Sequence, residues 1–217
     1  MRLPLVASSF ALALVLAVSA DARNPNHETI RLNAADQAAA RAAVVKRTDL
    51  GVANVWRGGA TKPDLSANPT CPNYHPDLSR FVVTGAAASD WRSGLNEIQS
   101  QTEVLETAPM VQKEWQLEIE APGAIPCLRS VVKKEFSTGG ARFLSFERVS
   151  FPRIATHATA FLLSARASGI RVMVEIVLLA KGRTEIELEL GGAYAARHAI
   201  SSGVSSLARL LAQRVRT

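Results

Sequence analysis

Between Arg142 and Leu190 the chain carries four apolar, strand-like runs, and the last three have almost nothing between them. The runs cover Arg142 to Phe151, Thr156 to Ala167, Ile170 to Ala180 and Arg183 to Leu190. Ser168-Gly169 and Lys181-Gly182 are turns too short for any pairing but antiparallel, so the last three runs read as a meander. The final run alternates strictly, with Ile186, Leu188 and Leu190 on one face and Glu185, Glu187 and Glu189 on the other. Such a strand covers a core with one face and meets water with the other. The run before it is apolar on both faces, which places it centrally.

The apolar face of the final run needs a cover. Gly191-Gly192 opens a helix of about Ala193 to Arg216, and Ile200, Val204, Leu207 and Leu211 form its apolar stripe. Upstream, Asn33 caps a helix over Ala34 to Arg47, with Asp36 at the third position as in a capping box. Gly51 to Tyr74 is dense in Gly, Pro, Asn and Ser and reads as a long loop, with Trp56 as a plug over the core edge. Phe81 to Thr84 reads as a short strand closed by Gly85, and Glu97 to Leu105 as a second. Thr107 caps a helix with Pro109 in its first turn, and Val111, Trp115 and Glu118-Ile119 lie beyond it at helical spacing. Pro122-Gly123 breaks it, and a third helix runs from about Ala124 to Phe136. The expected fold is α+β: a single antiparallel sheet of about six strands with helices packed against it.

The N-terminus has a different character. Arg2 precedes an apolar run from Leu3 to Val18, and Ala20 or Ala22 offers a small-residue cleavage site. Residues 1–20 therefore read as a secretory signal peptide, 21–32 as a flexible lead and 33–217 as one domain. No further apolar stretch has the length of a membrane span, so no integral membrane segment is expected after cleavage. Export gives the two cysteines an oxidising destination, where Cys71 and Cys127 pair naturally. The disulfide would close a loop of about 56 residues, worth roughly 4 kcal/mol in the chain-entropy model.

Composition narrows the function. The chain has 217 residues, 47% hydrophobic and 20% charged, which marks a folded domain. The net charge of +6 is scattered, with Lys133-Lys134 the one adjacent basic pair, so a solvated surface is expected and not a nucleic-acid partner. No Gly-x-Ser-x-Gly elbow is present, and Ser201, Ser202, Ser205 and Ser206 near His198 read as a helix surface. His75 near Asp77 and His157 at a strand start lack metal-ligand spacing, so no metal and no cofactor are expected. The glutamate row could bind cations or act as paired acid and base. The favoured expectation is a solvated face neutralised by cross-strand pairs to a basic neighbour. The candidate ligand cleft is Trp56, Tyr74, Trp91 and Trp115, with Arg57 or Arg92 at its rim.

The order of elements resembles the PsbP-like α/β/α sandwich, as in LpqN-type mycobacterial lipoproteins and the extracellular sensor domain of the kinase PknH. The wording is also similar to exported actinobacterial proteins of unknown function. The matching pieces are Ala35-Asp36-Gln37, Thr48-Asp49-Leu50-Gly51 with Trp56 after it, Cys71-Pro72, Val83-Thr84-Gly85, Ser100-Gln101 before Val104, and Cys127-Leu128. The chain departs in lacking a lipobox cysteine and in carrying one cysteine pair where the kinase sensor has more. The resemblance supplies no catalytic residues. It implies a secreted or extracytoplasmic, non-catalytic binding or accessory domain of the cell envelope, not an enzyme. Its partner would be an envelope component or a small apolar ligand. The alternatives are an envelope hydrolase and a sensor module for a membrane partner.

Overall fold

The computed structural model describes residues 27–51, 55–65 and 71–215, so the signal segment lies outside the described residues. Its strands are β1 (Thr29–Ile30), β2 (Arg57–Thr61), β3 (Val82–Ser93), β4 (Asn96–Leu105), β5 (Arg142–Val149), β6 (His157–Ala167), β7 (Ile170–Lys181) and β8 (Thr184–Ala193). Its α-helices are α1 (Ala34–Ala42), α2 (Ala108–Trp115), α3 (Ala124–Thr138) and α4 (Arg197–Arg214). One open sheet of eight strands runs in the order β1-β3-β4-β8-β7-β6-β5, with β2 also on β3.

The meander from β5 to β8 is antiparallel throughout, and β7 lies between β6 and β8 as its two apolar faces demand. Ile186, Leu188 and Leu190 pack in one cluster with Ile200, Val204, Leu207 and Leu211 of α4, so the terminal helix covers the expected face. On the opposite sheet face, Val132 and Phe136 of α3 cover Phe146, Phe161 and Val174. Trp115 and Ile119, from α2 and the π-turn Gln116–Glu120 after it, reach Ala180. The sheet thus has helices on both sides.

Four expectations need correction. The sheet has eight strands, not about six. It is not wholly antiparallel, because β1 pairs parallel with Val82 and Val83 of β3. That strand lies in the segment read as a flexible lead, where a polar, aperiodic sequence hides backbone pairing: Thr29 and Arg31 donate to the carbonyls of Phe81 and Val83. Likewise β2 lies inside the expected loop; Gly58 and Gly59 carry no side-chain pattern, yet pair with Trp91 and Asp90.

Two boundaries moved for identifiable reasons. Strand β3 continues through Gly85-Ala86-Ala87-Ala88, a weak strand sequence held by its pairing with β4 and, from Ala88, with β2. A Cβ on Gly85 would strike the backbone of Asp36, so glycine lets the first turn of α1 sit directly on β3. Helix α1 stops at Ala42, short of the expected Arg47, because the next residues serve the sheet. Thr102 Oγ1 donates to the Ala43 carbonyl, Ser89 Oγ and Trp91 Nε1 donate to the Val45 carbonyl, and Val45 N–H donates to Ser100 Oγ. Buried hydroxyls left unpaired would be costly, and this extended segment satisfies three of them.

Cys71 and Cys127 are disulfide-bonded, with Cα atoms 5.6 Å apart. The bond ties the segment before β3 to the first turn of α3. Tyr74 reinforces it: its hydroxyl donates to the Leu117 carbonyl, and a Cβ on Gly123 would come within 2.6 Å of its ring. The α2–α3 corner is therefore fastened to the chain below it.

Leu207→Asp buries a carboxyl against the hydrocarbon of β8 and should cost at least about 3 kcal/mol, read as a lower melting temperature. An unchanged melt with lost self-association would instead mark the stripe as an interface. Removing the disulfide by Cys71→Ser with Cys127→Ser should cost about 2–4 kcal/mol in a urea titration.

Candidate acidic cleft

The helices leave part of the sheet uncovered. On the face of α2 and α3, cross-strand partners bring together Ala86, Ala88 and Asp90 of β3, Gln99, Gln101 and Glu103 of β4, and Glu185, Glu187 and Glu189 of β8. The small β3 alanines keep this floor deep. Above it lies a cavity of about 1460 Å³ that continues around the β3 edge toward Val44–Arg47. Lys62 to Leu65, directly after β2, form one wall. That wall is tied down reciprocally: Asp64 N–H donates to Gln101 Oε1, and Gln101 Nε2 donates to the Asp64 carbonyl, each at 2.9 Å. Glu114, Trp115, Glu118 and Ile119 form the opposite wall, and Leu178 of β7 makes the floor apolar beside Glu187.

The glutamate row is not neutralised as expected. Its neighbours are Gln99, Gln101 and Glu103 on one side and Ile176, Leu178 and Ala180 on the other. The basic strand is absent, and among the described residues no Lys or Arg forms a salt bridge with any of the three glutamates. Arg92, at the end of the cleft, is engaged by Asp90 and Glu97. The face is also walled rather than broadly solvated: Glu189 is buried, Glu185 half-buried, and Glu187 open to the cavity.

Burial first, and neighbouring carboxyls after it, raises the pKa of these acids. Burial pushes the Glu185 carboxyl well above the usual range, and Glu118, Glu103 and Glu28 push it further. Burial does the same to Glu189, with Glu187, Glu97 and Glu135 adding to it. Glu187 and Glu189 interact directly through their carboxyls, so the two titrate together. Glu103 is raised by burial and by Glu28, against the donated hydrogen bond of Gln101.

Glu114 is the acid that sequence reading missed. Val111, Glu114 and Trp115 share the buried stripe of α2, so helical spacing turns this carboxyl inward. It is only 2% exposed. Its carboxyl shares a hydrogen bond with Glu28, and the Oδ1 of Asp90 is buried without a partner. Burial first, then Glu185, raises the Glu114 carboxyl strongly. The available signal was the i, i+3, i+4 spacing of Val111, Glu114 and Trp115.

The residues expected to form a ligand cleft are dispersed. Trp91 is buried on the far sheet face against Val45, and Trp56 packs on the cluster under α4. Tyr74 belongs to the disulfide corner. Arg57 and Arg92 are cross-strand partners, and of the six Trp91, Trp115 and Arg92 line the cavity. Elsewhere, Ser201 Oγ donates to Glu175 and links α4 to β7, and His157 stacks on Trp115. Among the described residues no three His, Cys, Asp or Glu converge as a metal site requires.

No family model matches the chain, and no curated protein sequence matches it.

The signs of the shifts set a pH profile. Glu103, Glu185 and Glu189 bind protons more tightly folded than unfolded, so their contribution is fully present below about 4.5 and is lost as pH rises. Asp36 and Asp49 act oppositely. Burial raises each, but hydrogen bonds and charge from Arg183 and Arg214 outweigh it, so their stabilisation is lost as pH falls below 3.8. The melting temperature should therefore peak in mild acid and decline toward alkaline pH. Glu114→Gln keeps the shape without the proton, and should stabilise by about 1–3 kcal/mol near pH 8 and by almost nothing near pH 4.5. Parallel melts of both proteins at the two pH values check this; equal melts at both would contradict it.

Proposed function

We propose that the protein is a non-catalytic exported binding or accessory domain of the cell envelope, which takes its ligand in the cleft over β3, β4 and β8. The observation that carries this reading is the walled cavity over β3, β4 and β8, lined by the buried Glu114 and by Asp90 beside the glutamate row. Perturbed acids cluster at functional sites, since their arrangement is unfavourable without an occupant.

An extracytoplasmic location is supported by the Cys71–Cys127 disulfide and by the apolar N-terminal segment, and no helix among the described residues is long and apolar enough to cross a membrane. Helices on both sheet faces support a PsbP-like relationship for the fold.

A thermal-shift screen of small molecules tests the proposal against a variant in which the cleft is filled. Ala88→Trp places an indole on the floor beside Gln101. Compounds that raise the melting temperature of the native protein should lose their effect on Ala88→Trp. Equal shifts in both proteins would place the ligand elsewhere and refute the cleft.

A further inference from the structure

We propose that one end of the sheet, formed by the β3–β4 and β6–β7 turns and the start of α4, docks the protein on an anionic phospholipid surface. The fold gathers there a charge that the sequence scatters. Arg142 of β5 pairs with Arg166 of β6, and Arg166 pairs with Arg171 of β7, so three arginines stand in one row across three strands. Tyr194 extends the row: the Arg171 guanidinium lies 3.6 Å from the centre of its ring, and that of Arg197, at the start of α4, lies 5.5 Å away. All four arginines are exposed, and among the described residues none of them forms a salt bridge. Arg166 and Arg171 donate to neutral acceptors, the Gly169 carbonyl and Ser164 Oγ. On these three strands the acids are Glu147, opposite Leu162, and Glu175, which is buried and accepts from Ser201. Like charges directly opposite one another on a sheet repel, so the row is unfavourable until a counter-ion covers it. The guanidinium fork suits phosphate, which it can grip with two parallel hydrogen bonds.

Apolar side chains at the same end select a membrane over a soluble polyanion. Among the described residues five large hydrophobic side chains are exposed, and three of them, Val55, Leu95 and Ile170, fall here, at 54%, 66% and 49%. Leu95 sits in the β3–β4 turn, and Ile170 follows Ser168-Gly169 in the β6–β7 turn. Glu97 pairs with Gly191 and Val172 pairs with Ala193, so both turns project from one end of the sheet. Strands β4 and β7 are two strand spacings apart there, roughly 10 Å. Val55 stands just before β2, whose Arg57 pairs with Arg92 beside the β3–β4 turn. Aliphatic groups ringed by cations gain when they enter the boundary between headgroups and acyl chains, and a soluble polyanion offers them nothing. Tyr194, an apolar ring with a polar tip, suits the headgroup level beside them.

Docked in this way, the protein places the two turns at the headgroups and the arginine row against their phosphates. The positive end of the α4 macrodipole points the same way, because the helix begins beside Tyr194. Each basic residue held at an anionic surface strengthens binding about fivefold, so the row and the apolar turns together give reversible attachment without a membrane span. Arg92 adds little, since Asp90 and Glu97 already neutralise it. The surface is separate from the acidic cleft: none of Arg142, Arg166, Arg171, Arg197, Leu95 and Ile170 lines that cavity.

The test is sedimentation of the full exported chain with vesicles of equal parts phosphatidylglycerol and phosphatidylcholine, against vesicles of phosphatidylcholine alone. Binding should be at least about tenfold tighter on the anionic vesicles, and should weaken as salt shortens the Debye length. Arg142→Gln combined with Arg166→Gln should weaken it about tenfold or more. Leu95→Ser combined with Ile170→Ser should weaken it about tenfold. Melting temperatures should stay near the native value, because all four side chains are exposed. Native and variant chains share one N-terminal segment, so their difference reads the sheet end alone. Removing the same charge elsewhere, by Arg129→Gln combined with Arg209→Gln, should change binding less than about twofold. A loss there equal to that of the row would overturn the proposal, as would equal binding to neutral and anionic vesicles. Vesicle binding that survives either the arginine or the apolar double change would also overturn it. Inorganic polyphosphate that binds tightly where the anionic vesicles fail would overturn it in favour of a soluble polyanion.

Discussion

Strand β8 can sit in the sheet in only one way. Its side chains alternate with period two, so Ile186, Leu188 and Leu190 face α4 only if Glu185, Glu187 and Glu189 face the other side. A slip of one residue would drive three carboxyls under the terminal helix and turn three large aliphatics outward. The hydrophobic requirement of one face therefore dictates the electrostatics of the other. The acids gather in the cleft as the obligatory reverse of the core, and what remains to be settled locally is how their repulsion is relieved. Within the chain it raises the pKa of each carboxyl, which favours the neutral forms. In function it would be relieved by an occupant.

The cleft persists because its walls are fastened at a distance from the acids. The disulfide and the Tyr74–Leu117 hydrogen bond hold the α2–α3 corner, and with it Glu114, above the sheet. The reciprocal hydrogen bonds of Gln101 with Asp64 hold the opposite wall. On the other face, ion pairs of Arg183 with Asp36 and of Arg214 with Asp49 pin α1 and the turn after it to the β7–β8 turn and the end of α4. Paired carboxylates thus secure the frame on that face.

Much of this was legible in the chain. The β5–β8 meander, the central place of β7, the α4 stripe and the cysteine pair all come from alternation, helical spacing and redox logic. The strands that escaped notice, β1 and β2, carry no side-chain signal, because Thr29–Ile30 and Arg57–Thr61 are placed by backbone pairing with β3. The reach of β3 was hidden by Gly85-Ala86-Ala87-Ala88, whose small side chains exist to admit α1 on one face and the cavity on the other. The glutamate row was visible, but its environment was not: whether Glu187 meets an arginine or a glutamine depends on the register of β4, which no local pattern encodes. Glu114 was masked for a related reason, since a polar residue at an apolar spacing reads as a break in the stripe until the cavity behind it is seen.

The central claim is that confinement in the cleft keeps carboxyls protonated where exposed glutamates are ionised. Carbon-13 NMR of glutamate side-chain carboxyls, tracked from acid to alkaline pH and assigned with single Glu→Gln variants, reads this directly. The account predicts that Glu185, Glu189 and Glu114 titrate well above the ordinary glutamate value of 4.5, and that Glu187 and Glu189 titrate as a coupled pair. Independent midpoints at the ordinary value for all four would contradict it.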